Sequence, residues 1–182
     1  MATKGELLKH VRCTVNVVRC IQVKRALTAV EPAPALSFWR LYYGIVLDIA
    51  VLEWCKIFGS RKERTHWTRV VKDQAGFRQA LIQDLGVDWD TWKAYWKHLK
   101  AYRDNYVSHL GDIAAVATYP DLTLALASCL FYYRYLLVEV RRAGPTDLPD
   151  DLREYSEMLS GLARDAAAQA LAATASLTEP TI

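Results

Sequence analysis

Several patterns that would point directly to a function are missing from this 182-residue chain. It has four cysteines but no Cys-x-x-Cys pair, which argues against a disulfide framework and against a zinc knuckle. It has no glycine-rich phosphate loop, and no stretch alternates between apolar and polar residues as a half-buried strand does. We therefore expect reduced core thiols and no strand–helix–strand architecture. The cysteines are Cys13, Cys20, Cys55 and Cys129.

Long uninterrupted apolar runs are also missing. The most apolar stretch, FWRLYYGIVLDIAVLEWCKIF at 38–58, contains Arg40, Asp48, Glu53 and Lys56. A membrane span needs roughly 18 or more apolar residues with few charges. Polar and charged residues likewise break the N-terminal 20 residues, which lack the apolar segment of a signal peptide. We expect a cytoplasmic protein that does not enter a membrane.

The composition is that of a folded domain. Hydrophobic residues make up 52% and charged residues 24%, so the chain can bury a sizeable core. The formal net charge of +3 permits an anionic partner without requiring one. We predict a single domain over 1–175 and a frayed tail over 176–182.

Helical periodicity runs through most of the chain. Proline, glycine and capping residues divide it into segments, so we predict an all-α, up-and-down bundle of four to six helices. Ser37 and Asp73 are expected to begin helices, and Gly59 and Gly111 to end them. The second helix is apolar nearly all round and is expected to lie at the centre. The predicted helices cover 4–30, 36–58, part of 67–85, 88–110, 120–142 and 148–173.

The helix over 88–110 ends in the stretch YWKHLKAYRDNYVSHLGD, residues 95–112. Arg103 falls on one line of expected core residues, and His109 ends a second line beside it. A histidine in a last helical turn and an arginine beside an aspartate are also common without any catalytic role. The first line is Trp89, Trp92, Trp96, Leu99, Arg103, Tyr106 and Leu110, and the second is Trp92, Tyr95, Leu99, Tyr102, Tyr106 and His109.

The segment AYRDNYVSHLGD resembles the motif of the HEPN superfamily, in particular its abortive-infection-like bacterial branch. That motif is an arginine, a polar residue and, after four to six intervening residues, a histidine. Arg103, Asp104 and His109 fit it with five intervening residues. The order of elements is also similar, and the resemblance covers roughly residues 36–142.

The resemblance implies an HEPN-like bundle, often a homodimer whose two motifs face each other, and metal-independent RNA cleavage without a cofactor. It implies that His109 acts as general acid or base and that Arg103 stabilises the transition state. Asp104 or Asn105 would orient these two side chains. A histidine can exchange protons near neutral pH, and an arginine is a permanent cation for a phosphorane. Cleavage needs two proton transfers and each chain has one motif histidine, so a second chain is expected to supply the other. The dimer is expected to form through the motif helix.

Further cations are candidates for contact with RNA. Lysines next to tryptophans on the motif helix can follow a single strand, although a solvated helix face has the same pattern. A basic loop before His66 can contact phosphate, or can simply be exposed. The candidates are Lys93, Lys97 and Lys100 on the helix and Arg61, Lys62 and Arg64 in the loop.

Two more predictions concern Asp48 and metals. Asp48 lies within the apolar second helix, where it either orients Arg103 or lies at an exposed edge. His66 and His98 have no cysteine or carboxylate at ligand spacing, so we expect no metal.

The sequence leaves other functions open. The chain can be a catalytically inactive helical module that docks a partner or binds a nucleotide, or a helical regulator that binds a small ligand. In the ribonuclease interpretation, a role in phage defence or in a toxin–antitoxin system, with an antitoxin or other partner protein, is expected. A shared, accessible cleft containing Arg103 and His109 would favour cleavage over docking.

Overall fold

The computed structural model describes residues 2–29, 36–107 and 119–178, and these ranges contain α-helices and short helical turns but no strand. The prediction of an all-α bundle is confirmed. His109 lies outside the described residues, as do Gly111 and the last four residues of the chain. The helices are α1 (Lys4–Thr28), α2 (Ser37–Trp54), α3 (Gln74–Leu85), α4 (Trp89–Tyr102), α5 (Thr123–Arg142) and α6 (Leu152–Ala173).

Helix α1 is the element around which the bundle is built, because it packs against α2, α5 and α6. It begins with a capping box in which Thr3 and Glu6 satisfy each other's backbone N–H groups. Val17 and Val18 on its buried side are fully enclosed. The helix nearest the centre is therefore α1, and not α2 as predicted.

Helix α2 buries only one side. Leu47, Val51 and Trp54 are fully enclosed, whereas a row on the opposite side is exposed. An apolar helix is buried all round only if neighbours cover every face, and the described helices cover one face of α2. We call the exposed row the α2 stripe: Phe38, Leu41, Tyr42, Ile45 and Ile49.

Local capping explains where the helices begin. The Asp73 and Asp88 side chains accept backbone N–H bonds and start α3 and α4. Asp151 does the same for α6, so that helix begins four residues later than predicted. Ser37 does not cap α2, since its N-cap position is Leu36, which makes no side-chain cap.

Trp54 is the centre of the core between α2, α4 and α5. Its indole N–H donates to Ser128 Oγ at 3.0 Å, which satisfies its one polar atom. Its ring packs on Phe58 and edge-on to Trp92, and Phe58 in turn contacts Tyr132 of α5. Among the described residues no buried side-chain nitrogen or oxygen lacks a partner.

Among the described helices, α5 is long and apolar enough to cross a membrane by length and composition alone. The core helix of a soluble protein passes the same test. Tyr132, Tyr133 and Leu136 of α5 are fully enclosed by the bundle. We therefore interpret α5 as a core helix.

A buried histidine predicts how stability depends on pH. His10 of α1 shares a hydrogen bond of 2.7 Å with Tyr132 Oη, and burial lowers its pKa to about 4. The unfolded imidazole gains its proton near pH 6.5, so the unfolded state binds more protons between these values. The free energy of unfolding should therefore fall by roughly 1–3 kcal/mol for this group as the pH drops from 6.5 to 4.

Chemical denaturation of wild type and His10→Gln at pH 7, 5.5 and 4 measures this contribution. The variant should lose less stability than wild type over the same range. His98→Gln, at an exposed position of α4, is the control and should keep the wild-type pH dependence. An identical loss in wild type and His10→Gln would show that His10 does not titrate as proposed.

Candidate functional site

Two wide helical turns meet where α2 and α4 end. Helix α2 continues into a π-helical turn at Cys55–Gly59, and α4 continues into a second at Arg103–Val107. π turns are rare and are frequent at functional sites. They approach closely, since a Cβ on Gly59 would lie 3.3 Å from Arg103 Nη1. We call this meeting point the π junction.

Arg103 is held in place at the π junction. Its Nε and Nη2 atoms lie 2.7 and 2.6 Å from the same Asp104 carboxylate oxygen. The Arg103 side chain is 17% exposed, and that of Asp104 is 49% exposed. Partial burial is the largest single influence and lowers the pKa of Arg103, but the hydrogen bond to Asp104 and the nearby negative charges together outweigh it, so the pKa lies above its usual value. The result is an oriented cation with limited access to solvent.

Asp48 was expected either to orient Arg103 or to lie at an exposed edge, and it is instead half-buried against Tyr102. Its carboxylate accepts a hydrogen bond of 2.8 Å from Tyr102 Oη, and the carboxylate that contacts Arg103 is Asp104. Burial raises the pKa of Asp48, and the Tyr102 bond opposes that rise. Tyr102, the residue before Arg103, therefore links Asp48 to the end of α4.

The thiol of Cys55 also lies at the π junction but is not a nucleophile. Cys55 is buried, and its burial raises the pKa to about 12 in spite of the nearby positive charge of Arg103. A thiol with this pKa stays protonated at neutral pH. Cys55 therefore leaves Arg103 as the group of the junction that can stabilise a growing negative charge.

Tyrosines surround the outer side of the junction. Tyr106 is exposed and stacks on Tyr102 with ring centres 5.3 Å apart. Tyr119, also exposed, meets Tyr43 of α2 edge-on at 6.5 Å. Tyr106 was expected on the core line of the motif helix, but the π turn directs it outward. These contacts link tyrosines of α4, the second π turn and α2.

Of the two remaining motif residues, the structure describes Asn105 but not His109. Asn105 is exposed on the second π turn. His109 lies in the range 108–118, outside the described residues, so its position relative to Arg103 stays a prediction.

Two of the predicted RNA-binding cations share one cavity. Arg61 and Lys93, 32 positions apart in the sequence, both line a pocket of about 310 Å³ beside the first π turn. The other four do not line it. Lys100 lies over the Trp96 ring at 4.4 Å, while Lys97, Lys62 and Arg64 are exposed.

Trp67 and Arg78 also line this cavity, and the sequence did not point to either as a site residue. Trp67 belongs to a short 3₁₀ turn and Arg78 to α3, and the Arg78 guanidinium lies 5.6 Å from the Trp67 ring centre. The available signal was a tryptophan directly after a basic loop. Nothing in the spacing indicates that α3 and α4 line the same cavity.

Within residues 2–29, 36–107 and 119–178, no group of three His, Cys, Asp or Glu residues is arranged to hold a metal ion. The four cysteines are free thiols. No protein-family model, no curated protein and no solved structure matches the chain.

A pair of glycine substitutions tests the close approach at the π junction. Gly59→Ala should lower the free energy of unfolding by about 1 kcal/mol or more, because the new Cβ would lie 3.1 Å from Cys55 Cβ and 3.3 Å from Arg103 Nη1. Gly44→Ala should instead raise it by about 0.5–1 kcal/mol, since that helical glycine has nothing within 4 Å of its Cβ position.

Urea unfolding of the two variants measures the difference. Gly44→Ala serves as the control for the helix propensity of alanine. Equal stabilisation by both substitutions would mean that Gly59 and Arg103 are not in contact.

Proposed function

We propose that this chain is a metal-independent endoribonuclease of the HEPN type, acting in the cytoplasm in phage defence or in a toxin–antitoxin system. The observation that carries the proposal is Arg103, fixed by Asp104 at the meeting point of two π turns. An oriented, partly buried guanidinium suits a phosphate whose charge grows in the transition state. The acid–base group is His109, which follows Arg103 at the spacing of the HEPN motif.

The reaction uses the nucleophile that RNA itself carries. The 2′-hydroxyl gives its proton to a base and attacks the adjacent phosphorus, forming the P–O2′ bond. The P–O5′ bond breaks, and the departing 5′ oxygen takes a proton from an acid. The products are a 2′,3′-cyclic phosphate and a 5′-hydroxyl. His109 is assigned to proton transfer and Arg103 to the phosphorane charge.

A homodimer completes the proposed site. Base and acid act on opposite sides of the phosphorus, and two chains supply two copies of His109. The α2 stripe is an exposed apolar row, and Tyr106 and Tyr119 are exposed as well. A contiguous apolar surface next to polar groups is typical of an interface. A second copy seated there brings two π junctions to one surface.

Cleavage of total RNA in EDTA tests the proposed activity. Wild type should give fragments ending in cyclic phosphate. Arg103→Ala should lower the rate by about 10²–10³, as the loss of a transition-state donor does, and His109→Ala by about 10²–10⁴. Lys9→Ala, at an exposed position of α1, is the control and should cleave at close to the wild-type rate.

Two results would contradict the proposed activity. Cleavage that persists in both site variants would come from another site or another enzyme. No cleavage by folded, dimeric wild type, with or without added cell extract, would favour the docking module.

Light scattering tests the proposed dimer. Leu41→Asp and Ile45→Asp place a charge at positions of the α2 stripe that are 64% and 43% exposed, so each should shift the protein from dimer to monomer. Met158→Asp, at a 68% exposed position of α6 outside the stripe, is the matched control and should stay dimeric. A wild type that is monomeric at all concentrations, or a dimer unaffected by both stripe variants, would overturn this interface.

A further inference from the structure

A cavity beside the π junction has its own combination of rings and charges. About 310 Å³ in volume, it lies between the first π turn, the 3₁₀ turn at Trp67–Arg69, α3 and one face of α4. Four tryptophans line it, and we call it the tryptophan cavity. This volume is at the lower end of the range for small-molecule sites, which suits one nucleotide and not a duplex. The four are Trp67, Trp89, Trp92 and Trp96.

The aromatic walls differ in how firmly they are fixed. Trp92 is held edge-on by Trp54 and Phe58, and the Trp96 indole donates to the Phe58 carbonyl oxygen at 2.6 Å. Trp89, in the first turn of α4, is 49% exposed, and none of the described rings or cations packs on it. The cavity therefore has rigid inner rings and one accessible ring.

The charge of the cavity is positive. Arg61, Arg78 and Lys93 line it, and its lining contains no acidic side chain. Among the described residues, none of these three cations forms an ion pair. His66 at the wall is neutral, because burial and then the charges of Arg61 and Arg69 lower its pKa to about 4. Such a site attracts an anion, because no carboxylate of the lining balances the charge of the three cations.

We infer that the tryptophan cavity binds a nucleotide, with its base against Trp89 and its phosphate near Lys93, Arg61 or Arg78. Cations alone would suit any anion, and rings alone would suit any apolar group. A planar aromatic group that carries a phosphate satisfies both at once. The nucleotide can be free or can be one residue of a single-stranded RNA.

This inference does not depend on the proposed cleavage, because it concerns binding at residues outside the Arg103 motif. The cavity nevertheless borders the π junction, since Gly59 lines the cavity and lies against Arg103. If the nucleotide belongs to an RNA strand, the adjoining strand passes close to Arg103.

Calorimetric titration with AMP, and with a short 2′-O-methyl RNA that the proposed reaction cannot cleave, tests the inference. Trp89→Ala and Lys93→Ala should each weaken binding at least fivefold, the lower limit for loss of one base-stacking contact. Lys9→Ala is the matched control, because it removes an exposed lysine of α1 that does not line the cavity. It should leave affinity within about twofold. Helical circular dichroism of each variant checks that the fold is retained.

The relative affinities for the two ligands distinguish a free nucleotide from one nucleotide of an RNA strand. If the RNA binds at least tenfold more tightly than AMP, and both Trp89→Ala and Lys93→Ala lose affinity, the site binds an RNA strand. AMP that binds as tightly as the RNA assigns it to a free nucleotide. No saturable binding of either ligand to wild type, or binding that Trp89→Ala and Lys93→Ala leave unchanged, would overturn the inference. Cleavage is not measured, so a lack of ribonuclease activity does not affect the result.

Discussion

The wide turn at the end of α2 is the constraint on which the rest of the molecule depends. Phe58 in this turn packs beneath Trp54 and Trp92, and its carbonyl oxygen fixes the Trp96 indole. The next residue, Gly59, leaves room for the Arg103 guanidinium. One five-residue segment thus anchors the core, aligns α4 and forms the boundary between the π junction and the tryptophan cavity. A regular α-helical turn here would place Phe58 and Gly59 differently and separate these three features.

The same arrangement determines how the positive charges of Arg103 and of the tryptophan cavity are exposed and paired. Arg103 is partly withdrawn from water and held by a single neighbouring carboxylate, so little further ordering is needed when an anion binds. The tryptophan cavity keeps its cations without carboxylate partners among the described residues, which raises its affinity for a negative ligand. The two sites border each other at Gly59, which lines the cavity and lies against Arg103. This distribution suits a protein that contacts a single-stranded polyanion and a second copy of itself.

Local signals in the sequence predicted most of the fold. Aspartates at 73 and 88 mark helix starts that the structure confirms, because a side-chain cap depends only on neighbouring residues. The burial of α2 was predicted wrongly, since apolar composition does not reveal how many faces have neighbours. The partner of Asp48 was missed for a related reason, as Tyr102 reaches it only through the packing of α4 on α2. The π turns carry no periodic signal, and the tryptophan cavity is assembled from separate segments, so neither was predictable from spacing.

The central claim is that Arg103 binds the RNA phosphate, and its side chain can report this directly. In ¹⁵N-labelled protein, the Arg103 Nε–H resonance is assigned by its loss in Arg103→Lys and followed during titration with uncleavable 2′-O-methyl RNA. The account predicts a saturable shift of this resonance, because a phosphate competes with Asp104 for the guanidinium. A resonance that stays unchanged while the RNA demonstrably binds would contradict the account and place RNA recognition elsewhere on the bundle.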